Sequence, residues 1–381
     1  MSWPMVKLGD VCQITMGQAP SGSFYNEKGQ GYALIAGAGD FGQLNPIPKK
    51  YTTKASKLSK SGDIILCIRA TIGDLNWSDK EYCLGRGVAG LRGKERLDQG
   101  FLWHCLNYNR SVLSSKGTGS TFKQISRNHI EELVIPLPPV EEQKRIAAIL
   151  DKADGIRQKR EQAVKLADDF LRATFLEMFG DPVENPKRWD VASLLEYGSF
   201  KNGMNFTKGE SGSVLKCLGV GNFKSLATIT CMDNIGEIEL NTLPSDDYLL
   251  KDGDIVFVRS NGNKALVGRC LTIYPNKEKV TFSGFCIRYR IEKSAIMAEY
   301  LNFLFRTPSM KQQMLSGGQG ANIQNISQGT LSALRVPVPP LEKQQTFSKI
   351  VSFHSELMKK LNINIVETND MFGSISQKHF N

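Results

Sequence analysis

The sequence predicts an α+β protein, two repeated α/β units separated by two long helices that pack on each other as an antiparallel coiled coil. Three observations predict this class. Ile135-Pro136-Leu137-Pro138-Pro139-Val140-Glu141-Glu142-Gln143 returns 201 residues later as Val336-Pro337-Val338-Pro339-Pro340-Leu341-Glu342-Lys343-Gln344. Ser61-Gly62-Asp63-Ile64-Ile65 returns 191 residues later as Asp252-Gly253-Asp254-Ile255-Val256. Each proline pair is followed by a long stretch with helical, near-heptad apolar spacing.

The two copies open at Trp3 and Trp189. The runs Asp63-Ile64-Ile65-Leu66-Cys67-Ile68 and Asp254-Ile255-Val256-Phe257-Val258 are short, apolar and rich in β-branched residues. Set off by Gly-Asp turns, they read as buried strands. Each ends in a polar loop, Arg69 to Gly73 in one copy and Arg259 to Asn263 in the other. Helical stretches follow over Phe101 to Leu113 and Ala298 to Leu315. Glycine-rich loops come next, 117–121 and 317–321, then Ile125-Ser126 and Ile326-Ser327, a last apolar strand and the proline pair. The glycines allow a close backbone approach to phosphate, though a plain connecting loop has the same composition.

Prolines stop the strand and suit the start of a helix. The first helix is expected to run from Glu141 to about Phe179, roughly 38 residues or about 57 Å. Its seam is read from Ile146, Ile149, Ala153, Ile156 and Phe170, with Ala163 and Ala167 between and Arg160 interrupting. Val351, Met358 and Ile365 recur every seven residues in the second helix, flanked by Leu361. Helices with such stripes need partners, and packing on each other as a rod that separates the units is the economical solution. Packing of each helix on its own unit is the alternative. The expected boundaries are 1–140 and 181–340 for the globular units, 141–180 and 341–373 for the helices, and 374–381 for a tail.

The 381 residues suffice for two domains with ordinary cores, and 41% hydrophobic with 23% charged residues is a globular composition. No apolar run approaches the roughly 18–20 residues that span a membrane. Met1-Ser2-Trp3-Pro4 lacks a basic end followed by an apolar stretch, so the sequence predicts a cytoplasmic location and no membrane partner. Eight scattered cysteines without a Cys-x-x-Cys pair read as reduced, mostly buried thiols.

The net charge of +10 divides unevenly: +6 over residues 1–140, −1 over 141–183, +4 over 184–340 and +1 over 341–381. A basic excess confined to the repeated units favours a polyanion as their ligand. Asn45-Pro46-Ile47-Pro48 and Asn185-Pro186-Lys187-Arg188 both fail the Asn/Asp-Pro-Pro-aromatic pattern that orients an adenine amine for methylation. There is no nucleotide phosphate loop, and His104, His129, His354 and His379 have no ligand spacing, His354 reading as a packing residue on the helix stripe. Neither catalysis nor a metal or cofactor is indicated.

DNA reading needs Arg or Lys for phosphates and guanine, and Asn or Gln for adenine. The loop candidates are Arg69, Thr71, Lys116, Lys123, Gln124 and Arg127 in the first copy. In the second they are Arg259, Asn261, Asn263, Lys264, Gln319, Asn322, Gln324 and Asn325. The first set is richer in cations and the second in amides, so the two units are expected to differ in what they read.

Two basic units, each ending in Pro-x-Pro-Pro-x-Glu-x-Gln at the mouth of a long helix, resemble the specificity subunit of a Type I restriction–modification system from Trp3 to about Phe372. The resemblance implies a non-catalytic chain whose units are target recognition domains, each reading half of a bipartite, asymmetric site on double-stranded DNA. The helices would set the unread spacer and dock two methyltransferase subunits, through which ATP-dependent nuclease and translocase subunits join. Lys343, where the first copy has Glu142, departs from the simplest pattern. Two other classes stay open: a duplicated protein-interaction scaffold unconnected to DNA, and a self-sufficient methyltransferase with a divergent motif.

Overall fold

The computed structural model describes residues 3–119, 123–207, 209–223, 227–316 and 325–380, without the side chains of 362–366. It divides into two compact units, Met1–Gln162 with Asn362–Asn381, and Ala163–Leu361. Each unit therefore holds half of one long helix and the opposite half of the other.

The strand that follows Gly-Asp is central in both. In unit 1, Ile64–Cys67 lies between Val88–Gly93 and Leu75–Trp77, with Cys12–Met16 beyond, all antiparallel. In unit 2, Asp254–Val258 lies between Cys286–Ile291 and Cys270–Ile273, with Gly198–Asn202 on one edge and Thr228–Ile229 on the other. A second sheet accompanies each: Tyr25–Asn26, Lys50–Thr52, Tyr32–Ile35 and Cys83–Leu84 in unit 1, and Glu237–Leu240, Ser213–Leu218 and Val280–Phe282 in unit 2. Every residue of the two central strands is buried, as their continuous apolar character requires.

The repeated motifs are structural joints. Gly62 and Gly253 both sit at φ +84°, which a side chain would strain. The following aspartate closes that turn. Asp63 Oδ2 accepts from Lys60 N–H at 2.7 Å and Oδ1 from Arg92 Nε at 2.6 Å. Asp254 does the same with Lys251 N–H at 2.7 Å and the Arg290 guanidinium at 2.8 and 2.6 Å. Buried carboxylates persist only when paired and hydrogen-bonded in this way.

The proline motif closes each unit. Met5–Lys7 pairs antiparallel with Val134–Pro136, and Val191–Ser193 with Arg335–Pro337. Gln143 and Gln344, both fully buried, then lock the long helices. Gln143 accepts from Asp98 N–H at 2.8 Å and donates to the carbonyls of Arg96 and Pro138 at 2.9 and 2.7 Å. Gln344 repeats this with Met297, Ala295 and Pro339. The Glu142-to-Lys343 departure is local: Glu142 pairs with Arg145, whereas Lys343 lies over the Trp189 ring.

The long helices span Val140–Phe179 and Leu341–Phe380. The second runs seven residues past its expected end, through the residues expected to form a tail. The reason is burial, since Phe380 and Ser376 are enclosed and Phe372 and Ile375 pack against the unit 1 core. Within unit 1, the start of the first helix (Ile146, Ala147, Leu150) shares that core with the end of the second. Within unit 2, the end of the first (Leu171, Phe175, Phe179) meets the start of the second (Phe347, Val351). The halves are antiparallel in each unit. Phe175, Phe179, Phe303 and Phe347, with Tyr300, form an aromatic cluster there, with Phe175 stacked on Phe303 and the contacts to Phe347 and between Phe179 and Tyr300 edge-to-face.

The seam differs from the expected one. Ile146, Ala153 and Val351 are buried and Met358 and Leu361 half-buried, but Ile149 and Ile156 are each 37% exposed and Phe170 67%. Ile365 lies outside the described side chains. The inward positions of the first helix are instead Gln143, Leu150, Arg157, Val164, Leu171 and Met178, interleaved with Ile146, Ala153, Arg160 and Ala167. Ile149 and Leu150 are about 100° apart on a helix, so one residue of phase separates seam from surface. Toward the middle the seam is polar: Arg160 bonds Thr368, Arg157 pairs with Asp154, and His354 Nε2 lies 3.3 Å from Asp168.

Candidate nucleic-acid interface

The same backbone device builds one edge in each unit. In unit 1 the central strand continues to the buried Ile68, then turns outward through Arg69, Ala70 and Thr71 before Ile72 returns to the core. Ala70 holds φ +62°, strained for a residue with a side chain. The strain is fixed from outside: Ala70 N–H donates to Lys123 O and Ile125 N–H to Ile68 O, both at 3.0 Å. Arg69 is thereby bridged to Gln124, and Gln124 to Thr118.

The strand-end loop and the segment after the glycine-rich loop thus meet, bringing Arg69, Thr71, Lys123 and Gln124 together. Arg69, Lys123 and Gln124 are exposed and make no side-chain hydrogen bond among the described residues. Thr71 is exposed, but its hydroxyl donates to Cys67 Sγ at 3.5 Å. Lys116 is half-buried at the end of the helix Arg110–Ser115. Arg127 is held by Glu131 at 2.7 Å on its own short helix, which makes it a weaker candidate than its charge alone conveys.

In unit 2, Ile326 N–H donates to Arg259 O at 3.0 Å, and Ser260 is bridged to Asn325. Arg259 and Asn325, both exposed, therefore share an edge. The matching between copies is shifted by one residue from the sequence reading. Ile68 and Arg259 occupy equivalent backbone positions, as do Arg69 and Ser260, so Arg259 is exposed where unit 1 buries an isoleucine. Asn261 and Asn263 turn their side-chain oxygens to the loop itself, accepting from Asn263 N–H at 2.8 Å and Ala265 N–H at 3.0 Å. Their amide NH₂ groups, the donors adenine N7 would need, are not used in those bonds. Lys264 is exposed in the same turn. Gln319, Asn322 and Gln324 lie outside the described residues.

Two residues on these edges were not singled out from sequence. Ile68 N–H donates to Gly87 O, and Arg259 N–H to Phe285 O. The loop between the last two strands therefore joins the edge, carrying the exposed Arg86 in unit 1 and Phe285, 59% exposed, in unit 2. The signal for Arg86 was its Gly85-Arg86-Gly87 setting. A Cβ at Gly87 would lie 2.2 Å from the Ala36 carbonyl, so the backbone packs too closely there for any side chain.

Among the described residues no cluster of His, Cys, Asp or Glu could hold a metal, and no helix is long and apolar enough to cross a membrane. What the edges offer is exposed cations, amides and one aromatic on rigid strand ends, a composition suited to phosphates and base edges.

Two like units with these edges, each feeding a long antiparallel helix through a buried glutamine, define a duplicated recognition module. The chain belongs to the family of the Type I restriction modification DNA specificity domain, whose model matches residues 2–166 and again 207–367. It is 38% identical over 170 residues to a putative type I restriction enzyme MjaX specificity subunit from Methanocaldococcus jannaschii, covering 43% of this chain and 40% of that relative. The type I restriction enzyme EcoKI specificity subunit of Escherichia coli K12 is 24% identical over 365 residues, 88% of this chain and 77% of that one. In fold, the chain is similar to the Type-I restriction-modification system S subunit from M. genitalium, with a TM-score of 0.59 at 16% identity over 100% of this chain and 96% of that structure.

Proposed function

We propose that this chain is the DNA-reading subunit of a Type I restriction–modification complex and has no catalytic activity of its own. Each unit acts as a target recognition domain and presents its loop edge to one half of a bipartite, asymmetric site. The paired helices set the unread spacer and carry two methyltransferase subunits, through which nuclease and translocase subunits join. The observation that supports this most is the edge repeated in both units. One backbone frame is kept, with Arg69, Lys123 and Gln124 on one copy and Arg259, Asn261 and Asn325 on the other. A shared frame with different side chains is what two different half-sites require.

The apolar residues that the helices leave exposed support the docking role. The unit 1 half carries Ile149 and Ile156, seven apart, and the unit 2 half carries Leu166, Phe170 and Phe353, at 60%, 67% and 70% exposure. Apolar surface of this kind marks an interaction site. The test is methylation mapping in cells carrying the chain with its neighbouring methyltransferase, against cells lacking only the chain. A bipartite adenine motif that disappears with the chain is the expected result. An unchanged motif, or none in either strain, would overturn the proposal.

A further inference from the structure

Unit 2 carries an aromatic ring at a place on its edge where unit 1 has no side chain. Phe285 O accepts from Arg259 N–H at 2.8 Å, and Arg259 O from Ile326 N–H at 3.0 Å. In unit 1 the same two bonds run to Gly87 O from Ile68 N–H at 2.9 Å, and to Ile68 O from Ile125 N–H at 3.0 Å. Phe285 and Gly87 are therefore equivalent. A Cβ at Gly87 would lie 2.2 Å from the Ala36 carbonyl, so unit 1 fills this place with backbone. Unit 2 leaves it open and sets there a ring that is 59% exposed.

A single exposed apolar residue is common on protein surfaces. Phe285 is set apart by how firmly its backbone is held and by what stands beside it. Its N–H donates to Ser283 Oγ at 3.3 Å, Cys286 N–H to Ser283 O at 2.8 Å, and Gly284 N–H to Met204 O at 2.7 Å. With its carbonyl bonded to Arg259, the chain is pinned on both sides of the ring, and only two side-chain torsions remain to be ordered on binding. Its neighbours along the edge are the exposed Arg259 and Asn325. Adjacent strands lie about 4.8 Å apart, and successive base pairs about 3.4 Å. A duplex read by Arg259 or Asn325 therefore brings another base edge within a step or two of the ring. Base edges in the major groove present hydrogen-bonding groups and one apolar group, the C5-methyl of thymine. A phenyl ring among polar readers matches that methyl, whereas against a donor or acceptor it would leave the base group unpaired.

We propose that Phe285 determines specificity by packing on a thymine C5-methyl in the half-site faced by unit 2, and that Gly87 leaves unit 1 without this contact. The inference rests on the DNA-reading function above and adds a base to it. That half-site contains an A·T pair whose thymine methyl faces the ring, close to the pair met by Arg259 or Asn325. The contact reads by shape and desolvation rather than by hydrogen bonding, so it also sets the orientation of the pair, since only one of its two bases bears the methyl.

The test is binding of the full chain, with its neighbouring methyltransferase, to duplexes of the mapped motif in which each thymine in turn is replaced by uracil. That replacement removes the methyl and keeps every hydrogen-bonding group. One such replacement, in one half of the motif, should weaken wild-type binding about fourfold, as loss of one buried methyl would. Phe285→Ala should bind the unmodified duplex more weakly by at least that factor and be indifferent to the same replacement. In methylation mapping it should accept other bases at that position and leave the other half of the motif unchanged. If Phe285→Ala does not fold, Phe285→Gln, polar and of similar reach, takes its place. A variant that keeps the wild-type sensitivity at every thymine, or a wild type indifferent to all the replacements, overturns the thymine contact and leaves the DNA-reading function standing. A wild-type complex that binds no duplex overturns both.

Discussion

Replacing Gln143 with leucine tests whether the repeated glutamine is the joint between the long helix and the globular unit. Leucine nearly preserves the volume, so packing changes little, but three backbone groups lose their partner: the Asp98 N–H and the carbonyls of Arg96 and Pro138. The bond to Pro138 is fully buried and the other two partly so. Taking roughly 2 kcal/mol for the buried orphan and about 1 kcal/mol for each of the others gives about 4 kcal/mol. Urea unfolding followed by tryptophan fluorescence reports mainly on unit 1, because Trp3, Trp77 and Trp103 belong to it and only Trp189 to unit 2. With a denaturant slope near 2 kcal/mol per M, the unit 1 midpoint should fall by roughly 2 M. Glu142→Gln, which removes only an exposed ion pair next door, should leave it unchanged. A shift below about 0.5 M in Gln143→Leu would mean that the loop carbonyls find water at little cost and that the glutamine is not the joint.

The helix phase is tested by neighbours: Leu150→Asp should cost at least about 3 kcal/mol, while Ile149→Asp should stay within about 0.5 kcal/mol yet abolish methyltransferase binding in pull-down. Equal destabilisation by the two would restore the seam read from sequence. Arg259→Ala should weaken binding to the cognate duplex roughly ten- to hundredfold with an unchanged circular dichroism spectrum; unaltered affinity would remove Arg259 from the interface. Maleimide at pH 8 should label the native chain once, at the exposed Cys231. Burial pushes the thiols of Cys12, Cys270 and Cys286 up to about 12 and Cys217 to about 11, so at that pH they stay protonated and unreactive. Fast modification of a second cysteine, located by peptide mass spectrometry, would contradict the packing of these cores.

Much of this architecture was legible in the chain. The duplication, the buried central strands and the proline–glutamine junctions each have a local physical cause that leaves a mark in sequence. A glycine must occupy the φ +84° turn, an aspartate must close it, and a glutamine must satisfy three backbone groups at the helix entry. These requirements recur in both copies, so the residues recur. Residue counting could not fix the helix phase, because Ile149 and Leu150 are equally apolar and only the opposing half-helix decides which turns inward. Packing likewise continues the second helix through 374–380, where Phe380 finds the unit 1 core.

The candidate interface divides along the same line. Its residue types were recognisable, since phosphates and base edges call for cations and amides. Their grouping was not: Arg69 meets Gln124 across 55 positions of chain, Arg259 aligns with a buried isoleucine, and Arg86 and Phe285 arrive from a third segment. Two like units, their strand cores and their helical exits follow from local sequence, because turn chemistry and apolar periodicity act within a few residues. Which loops share an edge and which stripe is seam were settled by tertiary packing alone. Those outcomes depend on contacts between segments far apart in the chain, whose geometry no local pattern encodes.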